Sequence, residues 1–447
     1  MTVSGPCNPG VVDVVTLGES MVTFLPSRPG RLADVPSFDR AIGGAESNVA
    51  CTLAAAGHSV RWVSRVGADG FGDHLVEAIG AYGVDVTAVR RDPARPTGIY
   101  FRTAGDRSTA AHEVAYYRTG SAASAMTVAN TDLNAVRTGR VLHLSGITAA
   151  LSEGCLGLMR ELTAPRPGRP LLSFDVNYRP GLWPDADGAG VLLELARGAD
   201  VVFVGEDEAE EAWGVTGGPE AVRAALPEPQ VLVVKQGGVG ATAFVSPAGA
   251  RGLVAPPLST SLERGDPHRG GAADGCSPAP LNPTGGHAVP PADSHAAQPA
   301  GRHCAEPAGS RAAGAAPDPQ KGGTPPARAS ETHLRPAPPP STFVPALAVD
   351  VVATTGAGDA FAAGFLSASL RGLPAGTCLR HGHLTAAATL TAQGDLAPPP
   401  TRHHADRLAA LDDDAWGRLR LGPGWTQADD HALERAVDRA DEEVRTP

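Results

Sequence analysis

The residues best suited to chemistry lie in one stretch, 353–361, which reads ATTGAGDAF. Gly356, Ala357 and Gly358 are small, so their backbone N–H groups can approach a ligand closely. A helical pattern follows, and the partial positive charge of a helix start favours an anion. Asp359 would lie beside that anion. The stretch predicts a phosphate cradle with a carboxylate at its edge, although a capped glycine turn has the same composition.

The elements that must position this stretch alternate between strand and helix. Short apolar runs that read as buried strands occur at 11–17, 60–66, 141–144, 171–174, 201–204 and 231–234. Helical patterns separate most of them, which predicts an α/β fold with a mostly parallel sheet. Ligands in such folds bind at the carboxyl ends of the strands, where this chain has Gly18, Gly146, Asp175, Gly205 and Lys235.

Two further strands have a different character. Residues 98–103 and 114–118 are short and aromatic, and no helical pattern lies between them. They predict an antiparallel pair on a smaller, separate sheet. Tyr100 and Tyr116 on these strands could line a pocket, or they could simply pack within the sheet.

The domain organisation follows from one change in composition. Residues 246–341 are rich in Pro, Gly, Ala and Ser and lack periodicity, so we expect a disordered insert. It would interrupt a single domain formed by 11–245 and 342–400. The segment 401–447 is predicted to be an acidic, peripheral tail, with His403 and His404 on its solvated surface.

The composition excludes several classes of function. The 447-residue chain has a net charge of −11 and no basic run, which argues against nucleic-acid or anionic-membrane partners. No apolar run reaches transmembrane length, and the first ten residues lack a signal-peptide pattern. The six cysteines are scattered, without a C-x-x-C pair. We therefore expect a cytoplasmic protein without disulfides or a zinc site.

Two glycine motifs resemble those of a known family. Residues 43–50 read GGAESNVA and residues 355–361 read TGAGDAF. Together, in this strand–helix context, they resemble the two signatures of the ribokinase-like sugar kinases, the PfkB family. The resemblance implies a three-layer sandwich with a small β-lid, whose strands would fall within 18–45 and 97–120. It also implies ATP-dependent phosphorylation of a sugar hydroxyl.

Three segments resemble the 2-keto-3-deoxygluconate kinases within that family. They are 44–48 (GAESN), 116–122 (YYRTGSA) and 175–183 (DVNYRPGLW). Such a substrate carries a carboxylate, which Arg binds well in bidentate geometry. Arg118 and Arg179 lie in two of these segments, although Arg179 could also form a surface ion pair.

The resemblance implies a role for each matching residue. Asp359 would be the base for the primary hydroxyl, and the N–H groups of Gly356, Ala357 and Gly358 would hold the phosphoryl group. Mg²⁺ would lie on the ATP phosphates, with Glu208 acting on it indirectly. The lid could also form a homodimer. Substrate contacts are expected from Gly44, Asn48, Tyr100, Tyr116, Arg118 and Arg179, and nucleotide contacts from Lys235, Gly237, Gly240 and Thr355.

Two departures from the family pattern concern cations. Relatives often have Asp at the position of Ala353, where it helps to bind a monovalent cation, so such activation is in doubt here. The family's Asn-x-x-Glu motif is matched at 205–208, but Gly205 replaces the Asn. Neither change affects Asp359, so the sequence still predicts an active enzyme.

Other functions remain open from the sequence. A kinase for a neutral sugar, fructose or ribose, is the alternative within the family. A regulator that binds sugar or nucleotide without turnover would be compatible with the insert and with Ala353 and Gly205. A dinucleotide-binding oxidoreductase would need a third glycine where Phe361 stands. No Walker A motif is present, so the chain is not expected to be a P-loop enzyme.

Overall fold

A computed structural model describes residues 10–28, 30–103, 113–183, 187–247, 249 and 340–427. Contacts group the described residues before and after the insert into one compact unit. The expectation of disorder in the insert concerns residues that, from 250 to 339, lie outside this description. Within the described ranges, no helix combines the length and the apolar character needed to span a bilayer.

Sixteen strands are assigned within the described residues. They are β1 (Val12–Leu17), β2 (Met21–Pro26), β3 (Phe38–Gly43), β4 (Val60–Val63), β5 (Arg65–Gly67), β6 (Arg90–Asp92), β7 (Ile99–Arg102), β8 (Val114–Tyr117), β9 (Gly139–Ser145), β10 (Leu171–Asp175), β11 (Val201–Gly205), β12 (Val231–Lys235), β13 (Gly240–Val245), β14 (Ser341–Pro345), β15 (Ala348–Val349) and β16 (Arg420–Leu421).

The helices alternate with most of these strands. They are α1 (Ala45–Ala55), α2 (Gly70–Ala81), α3 (Leu133–Val136), α4 (Gly146–Ala149), α5 (Glu153–Thr163), α6 (Gly188–Arg197), α7 (Glu206–Trp213), α8 (Pro219–Ala225), α9 (Ala357–Leu370), α10 (Ala375–Leu390), α11 (Arg402–Ala409) and α12 (Asp413–Arg418).

The large sheet confirms the predicted α/β fold. Its eight strands run in the order β14-β13-β12-β11-β10-β9-β1-β4. The six strands from β12 to β4 are parallel, and the antiparallel β13 and β14 form one edge. The carboxyl ends of the parallel strands therefore meet at one edge of the sheet, as the sequence predicted.

Helices cover both faces of this sheet, which gives three layers. Successive side chains of a strand point to opposite faces, and the strand residues divide accordingly between two hydrophobic cores. Val14 packs in the core with α1, α9 and α10, whereas Val15 packs in the core with α5 and α6. Both cores contain fully buried aromatic side chains, among them Trp62, Phe365 and Phe174.

A second sheet confirms the predicted aromatic strands. Its four strands run in the order β3-β2-β7-β8, and β7 and β8 are antiparallel. Tyr100 lies opposite Tyr116 in this pairing, with their ring centroids 5.4 Å apart. This four-stranded sheet, which we call the lid sheet, lies within the sequence ranges expected for it.

The chain after Thr401 differs from the prediction. Helix α11 packs Ala405 and Leu408 into the core, and Trp416 is only 1% exposed. His403 is exposed, but His404 is buried, so the prediction that both histidines are solvated was wrong for His404. The described part of this segment, up to residue 427, belongs to the folded body rather than to a peripheral tail, because its apolar side chains complete the core around α10.

Candidate active site

A cavity of about 340 Å³ lies between the start of α9 and the lid sheet. It brings together residues that are far apart in the sequence, from the two glycine motifs and from the aromatic strands. Ten of the predicted site residues line it, namely Gly44, Asn48, Tyr100, Tyr116, Arg118, Arg179, Thr355, Gly356, Gly358 and Asp359. The other predicted site residues, Ala357, Lys235, Gly237, Gly240 and Glu208, are not among the lining residues.

The glycine turn at the start of α9 forms the floor of this cavity. Gly356 precedes the helix with φ of 80°, a left-handed conformation that strongly favours glycine. A Cβ at Gly356 would also collide with the backbone oxygen of Asp395. The first N–H groups of a helix have no partner within it. The Ala357 N–H makes only a long hydrogen bond of 3.4 Å to the Thr354 carbonyl, and the neighbouring Gly358 N–H is positioned to donate to an anion.

Asp359, in the first turn of α9, is the carboxylate of this floor. Asn48 Nδ2 donates a hydrogen bond of 2.8 Å to its Oδ2. Burial, with the charges of Asp175 and Asp395, raises the pKa of Asp359 to about 7, against the opposing effects of Asn48 and Lys235. A carboxyl with this pKa can accept a proton near neutral pH, which suits a general base.

Helix α1 positions Asn48 through close backbone contacts at its start. A side chain on Gly44 would collide with the backbone of Glu19 and Ser20, so only glycine fits there. The Asn48 side chain is 3% exposed, and its Oδ1 has no hydrogen-bond partner among the described residues. Buried polar atoms are normally paired, so this oxygen is suited to accept a hydrogen bond from a ligand hydroxyl.

Lys235 lies behind the turn rather than in the cavity. Its Nζ lies 3.0 and 3.1 Å from the two carboxylate oxygens of Asp175, and about 3.5 Å from where a Cβ on Gly358 would lie. Burial opposes the ammonium charge, but Asp175 and Glu208 outweigh it and raise the pKa of Lys235. The site therefore holds a buried ammonium group close to the anion-binding turn, paired with Asp175.

Arg179 forms an ion pair with Glu208, the carboxylate predicted to act indirectly on the metal. Its guanidinium donates to Glu208 Oε1 at 3.0 Å and to Asn177 Oδ1 at 3.1 Å. Glu208 also accepts from the Gly205 N–H at 2.8 Å, at the start of α7. Burial favours the neutral acid, but Lys235, this N–H group and Arg179 outweigh it and lower the pKa of Glu208. Glu208 is therefore ionised at neutral pH.

The lid side of the cavity carries a second set of charges, which the sequence did not reveal. Tyr100 donates its hydroxyl hydrogen bond to Asp395, which also pairs with Arg102 at 2.8 Å. All three side chains are less than 5% exposed. Asp395 follows α10, 295 residues from Tyr100, and only the fold brings the two together.

Arg118 on the lid side pairs with another unpredicted acid, Glu19. Glu19 also accepts a hydrogen bond of 2.5 Å from Ser121. The Arg118 guanidinium lies 5.8 Å from the ring centroid of Tyr116. Its Nε is buried without a hydrogen-bond partner in the described part of the chain. Arg118 thus keeps a donor for a ligand despite its ion pair.

A neutral acid supports the floor from below. Glu46, also in α1, is 1% exposed and accepts a hydrogen bond of 2.6 Å from Thr148. Burial raises the pKa of Glu46 to about 8. Its carboxyl fills the space that a side chain on Gly18, the residue after β1, would need, so a larger residue there would displace Glu46.

Of the predicted nucleotide-side glycines, Gly237 lies in the turn between β12 and β13, and Gly240 is the first residue of β13. Gly237 has φ of 54° and Gly240 has φ of 153°. A Cβ on Gly240 would collide with the backbone of Val344 in the neighbouring strand. Sheet packing alone therefore requires Gly240, whereas Gly237 has open space around it.

The described residues contain no cluster of three or more His, Cys, Asp or Glu side chains that could hold a metal ion. Glu208 is an ionised carboxylate near the cavity, which is a suitable group for a water-mediated contact to Mg²⁺. Magnesium in kinase sites is commonly held by one or two carboxylates together with substrate phosphates. The donor set is compatible with that arrangement.

Sequence comparison with protein families matches residues 12–259 and 340–402 to the pfkB family carbohydrate kinases. The chain belongs to this family. It is a phosphotransferase that acts on a sugar hydroxyl, with the ribokinase-like fold described above. The two matched ranges leave out residues 260–339, which are most of the insert.

Known relatives carry two kinds of name. The 2-dehydro-3-deoxygluconokinase of Thermoproteus tenax is 33% identical over 249 residues, 54% of this chain and 76% of the relative. The enzyme of that name from Bacillus subtilis is 37% identical over 209 residues, 45% of this chain and 63% of the relative. Fructokinase-2 of Solanum lycopersicum is 31% identical over 216 residues, 48% of this chain and 65% of the relative.

Solved structures agree with the fold. A PfkB protein from Polaromonas sp. JS666 matches with a TM-score of 0.61 at 27% identity, over 88% of this chain and 99% of its own. An uncharacterised sugar kinase from Pyrococcus horikoshii, solved in complex with ATP, matches with a TM-score of 0.60 at 19% identity. The match covers 90% of this chain and 99% of the kinase.

Proposed function

We propose that this sugar kinase transfers the γ-phosphoryl group of ATP to the primary hydroxyl of a sugar acid, 2-keto-3-deoxygluconate, and forms its 6-phosphate. The observation that carries the proposal is the pocket itself. It places a carboxylate suited to proton transfer and an anion-binding turn on one side, and arginine donors on the other. The names of the T. tenax and B. subtilis relatives support the same substrate.

Asp359 acts as the base in the proposed mechanism. Asn48 holds its Oδ2, which leaves Oδ1 free to accept the proton of the sugar hydroxyl. The hydroxyl oxygen then attacks the γ-phosphorus while the bond to the leaving ADP oxygen breaks. The protein's part is to position the reactants and stabilise charge, which is typical of phosphoryl transfer.

The turn and Lys235 stabilise the charge of the transferring group. The N–H groups of Ala357 and Gly358 donate to its oxygens, with Gly356 holding them in place. Lys235 contributes positive charge from behind the turn, while Thr355 lies at the side of the pocket. Mg²⁺ would neutralise charge on the ATP phosphates when bound, with Glu208 acting on it indirectly, through water. A structure from E. coli that matches with a TM-score of 0.61 contains ATP and Mg²⁺.

The lid selects the substrate. Arg118 Nε and the Arg179 guanidinium would bind the carboxylate of the sugar acid, and Tyr100 and Tyr116 would pack against its carbon chain. Asn48 Oδ1 and Gly44, at the floor, would contact its hydroxyl groups. Closure of the lid sheet would exclude water, which competes for the phosphoryl group.

A panel of acceptors tests the substrate. We expect ATP consumption with 2-keto-3-deoxygluconate to exceed that with fructose or ribose by about tenfold or more in kcat/KM, because a charged hydrogen bond contributes roughly 1.5–3 kcal/mol. A preference for either neutral sugar would reject the sugar acid. Binding of sugar and nucleotide without turnover would instead indicate a regulator.

A neutral sugar is the second candidate, and one observation favours it. All three pocket arginines are already paired with acids, Arg102 with Asp395, Arg118 with Glu19 and Arg179 with Glu208. These pairs offset the positive charge that a sugar acid would need. The name of the Solanum lycopersicum relative, a fructokinase, supports this alternative. The same panel of acceptors distinguishes the neutral sugar from the sugar acid.

We also propose that the lid edge forms a homodimer. Tyr117 on the edge strand β8 is 65% exposed, and Val114 on the same strand is 43% exposed. Exposed apolar side chains on an unpaired edge favour pairing with a second chain. Light scattering should give a dimer mass for the wild type and a monomer mass for Tyr117→Glu. A monomeric wild type would contradict the proposal.

A further inference from the structure

A second cavity, of about 170 Å³, lies on the helical layer that covers one face of the large sheet. It is bounded by the C-terminal half of α1, by α9 and α10, and by the start of α11. None of the residues that line it lines the pocket described above. Its walls are largely small side chains, including Ala55, Ala363 and Pro400, and two arginines, Arg371 and Arg402, stand at its edge.

The two arginines differ in their partners. Arg371 lies 2.7 and 2.8 Å from the carboxylate oxygens of Asp406, which offsets its charge. Arg402 donates to the backbone oxygen of Ala56 at 3.1 Å, and no ion pair among the described residues includes it. Arg402 is therefore the uncompensated positive charge of this cavity.

The start of α11 adds to this positive charge. The helix begins at Arg402, and the Thr401 side chain caps it by accepting from the His404 N–H at 3.3 Å. The remaining N–H groups of the first turn have no partner within the helix, and the helix dipole is positive at this end. The start of α11 and a guanidinium outside any ion pair of the described residues thus line one small cavity.

Burial and the arginine charges near this cavity lower the pKa values of two histidines, His58 and His381. His58 Nε2 lies 2.8 Å from Ser367 Oγ, which lines the cavity. Burial lowers the pKa of His58, and the charges of Arg402 and Arg371 lower it further, against Asp13. Burial likewise lowers the pKa of His381, against the nearby Asp406. Both rings are therefore neutral at physiological pH and leave the arginine charge as the main attraction for a ligand.

We propose that this cavity binds a small organic anion, a phosphomonoester or a carboxylate, with its charged group on Arg402 and the start of α11. Its short carbon chain would lie against the alanine and proline walls. At about 170 Å³ the cavity has room for several water molecules, which suits a small metabolite.

The position of the cavity connects it to the pocket described above. Helix α9 carries Asp359 in its first turn and Ser367 eight residues later, about 12 Å along the axis. Helix α1 likewise carries Asn48 near its start and Ala55 at its end. The Asn48–Asp359 hydrogen bond joins the same two helices that the anion would contact.

Isothermal titration of the full chain tests the proposal. The chain is first saturated with Mg²⁺ and AMP-PNP, which occupies the glycine turn of the other pocket. Glycerol 3-phosphate and glycerate are then titrated separately, with glycerol as the neutral control. We expect, for at least one of the two anions, a saturable site that depends on Arg402, and no binding of glycerol. The tighter anion identifies the charged group that the site prefers.

Two variants locate the binding. Arg402→Gln should weaken it about tenfold or more, because a charge-assisted hydrogen bond is lost, whereas Arg418→Gln, at an exposed arginine elsewhere, should leave it unchanged. Ala55→Leu should block the cavity without changing any charge. Thermal unfolding without ligand checks that each variant is folded.

The proposal is overturned if neither anion binds, or if Arg402→Gln and Ala55→Leu both bind with wild-type affinity. The titration measures binding of the anion rather than turnover of the sugar substrate. Its failure would therefore leave the sugar-acid assignment unaffected, and failure of that assignment would leave this site unaffected.

Discussion

The two sides of the active-site pocket are built in different ways. The floor is a continuous turn and helix start, in which the backbone of Gly356 fixes the position of Asp359. The lid side consists of separate strands and loops held by buried charge pairs, such as Arg118 with Glu19 and Arg102 with Asp395. We infer that the floor supplies the phosphoryl-transfer chemistry common to these kinases, and that the lid determines which sugar reacts.

The largest effect is expected on the floor. Asp359→Asn should lower kcat by about 10²–10⁴-fold, because general-base catalysis contributes that much. Sugar affinity should change little, since the amide keeps the shape of the side chain. Steady-state kinetics and equilibrium binding measure the two quantities. A variant that keeps kcat within threefold of the wild type would contradict the role of Asp359 as base.

Gly356→Ala tests whether backbone geometry fixes the floor. The left-handed conformation at this position costs an alanine roughly 1–2 kcal/mol, and its Cβ would displace the loop at Asp395. We expect a kcat about 10²-fold lower, because small displacements of reacting groups have effects of that size. Gly417→Ala is the matched control, since a Cβ there has open space. Equal activity of the two variants would refute the argument.

The pH dependence of the wild type tests the ionisation of the floor. The base must be ionised, and the pKa of Asp359 is about 7. The value of kcat/KM should therefore fall about tenfold per pH unit below pH 7 and level off above it. Rates between pH 5.5 and 8.5, at saturating Mg²⁺, give the profile. A flat profile down to pH 5.5 would show that no group with this pKa controls the reaction.

The smallest effect is expected on the lid side. Tyr100→Phe removes the hydroxyl that donates to Asp395 and leaves the Arg102 ion pair in place. We expect the loss of this hydrogen bond to lower the free energy of unfolding by about 1–3 kcal/mol and to raise KM. Chemical denaturation and initial rates would measure both. If kcat fell as far as in Asp359→Asn, the division between floor and lid would be incorrect.

The difference between the floor and the lid side also explains which features the sequence could predict. The floor is local in sequence, so the glycine pattern and the following helix indicated it, and the alternation of strands indicated the fold. Glu19 and Asp395 were missed because their partners, Arg118 and Tyr100, are distant in the chain and no pattern connects them. The sequence also could not show that Lys235 lies behind the turn.

The segment after Thr401 shows the same limit. Its helices are short, and their apolar residues do not form a long periodic pattern. Only tertiary packing reveals that Trp416 and Leu408 complete the core. A helix of eight residues is marginal alone and is stabilised by what it packs against, so its sequence gave little indication of its burial.

The most direct test compares the substrate preference of two variants, Arg118→Gln on the lid and Asp359→Asn on the floor. The quantity measured is kcat/KM for 2-keto-3-deoxygluconate divided by kcat/KM for fructose. Asp359→Asn should lower both rates and leave this ratio within about threefold of the wild type. Arg118→Gln should lower the ratio by about tenfold or more, because it removes a charged donor. An unchanged ratio in Arg118→Gln would contradict the proposal that the lid recognises the acid.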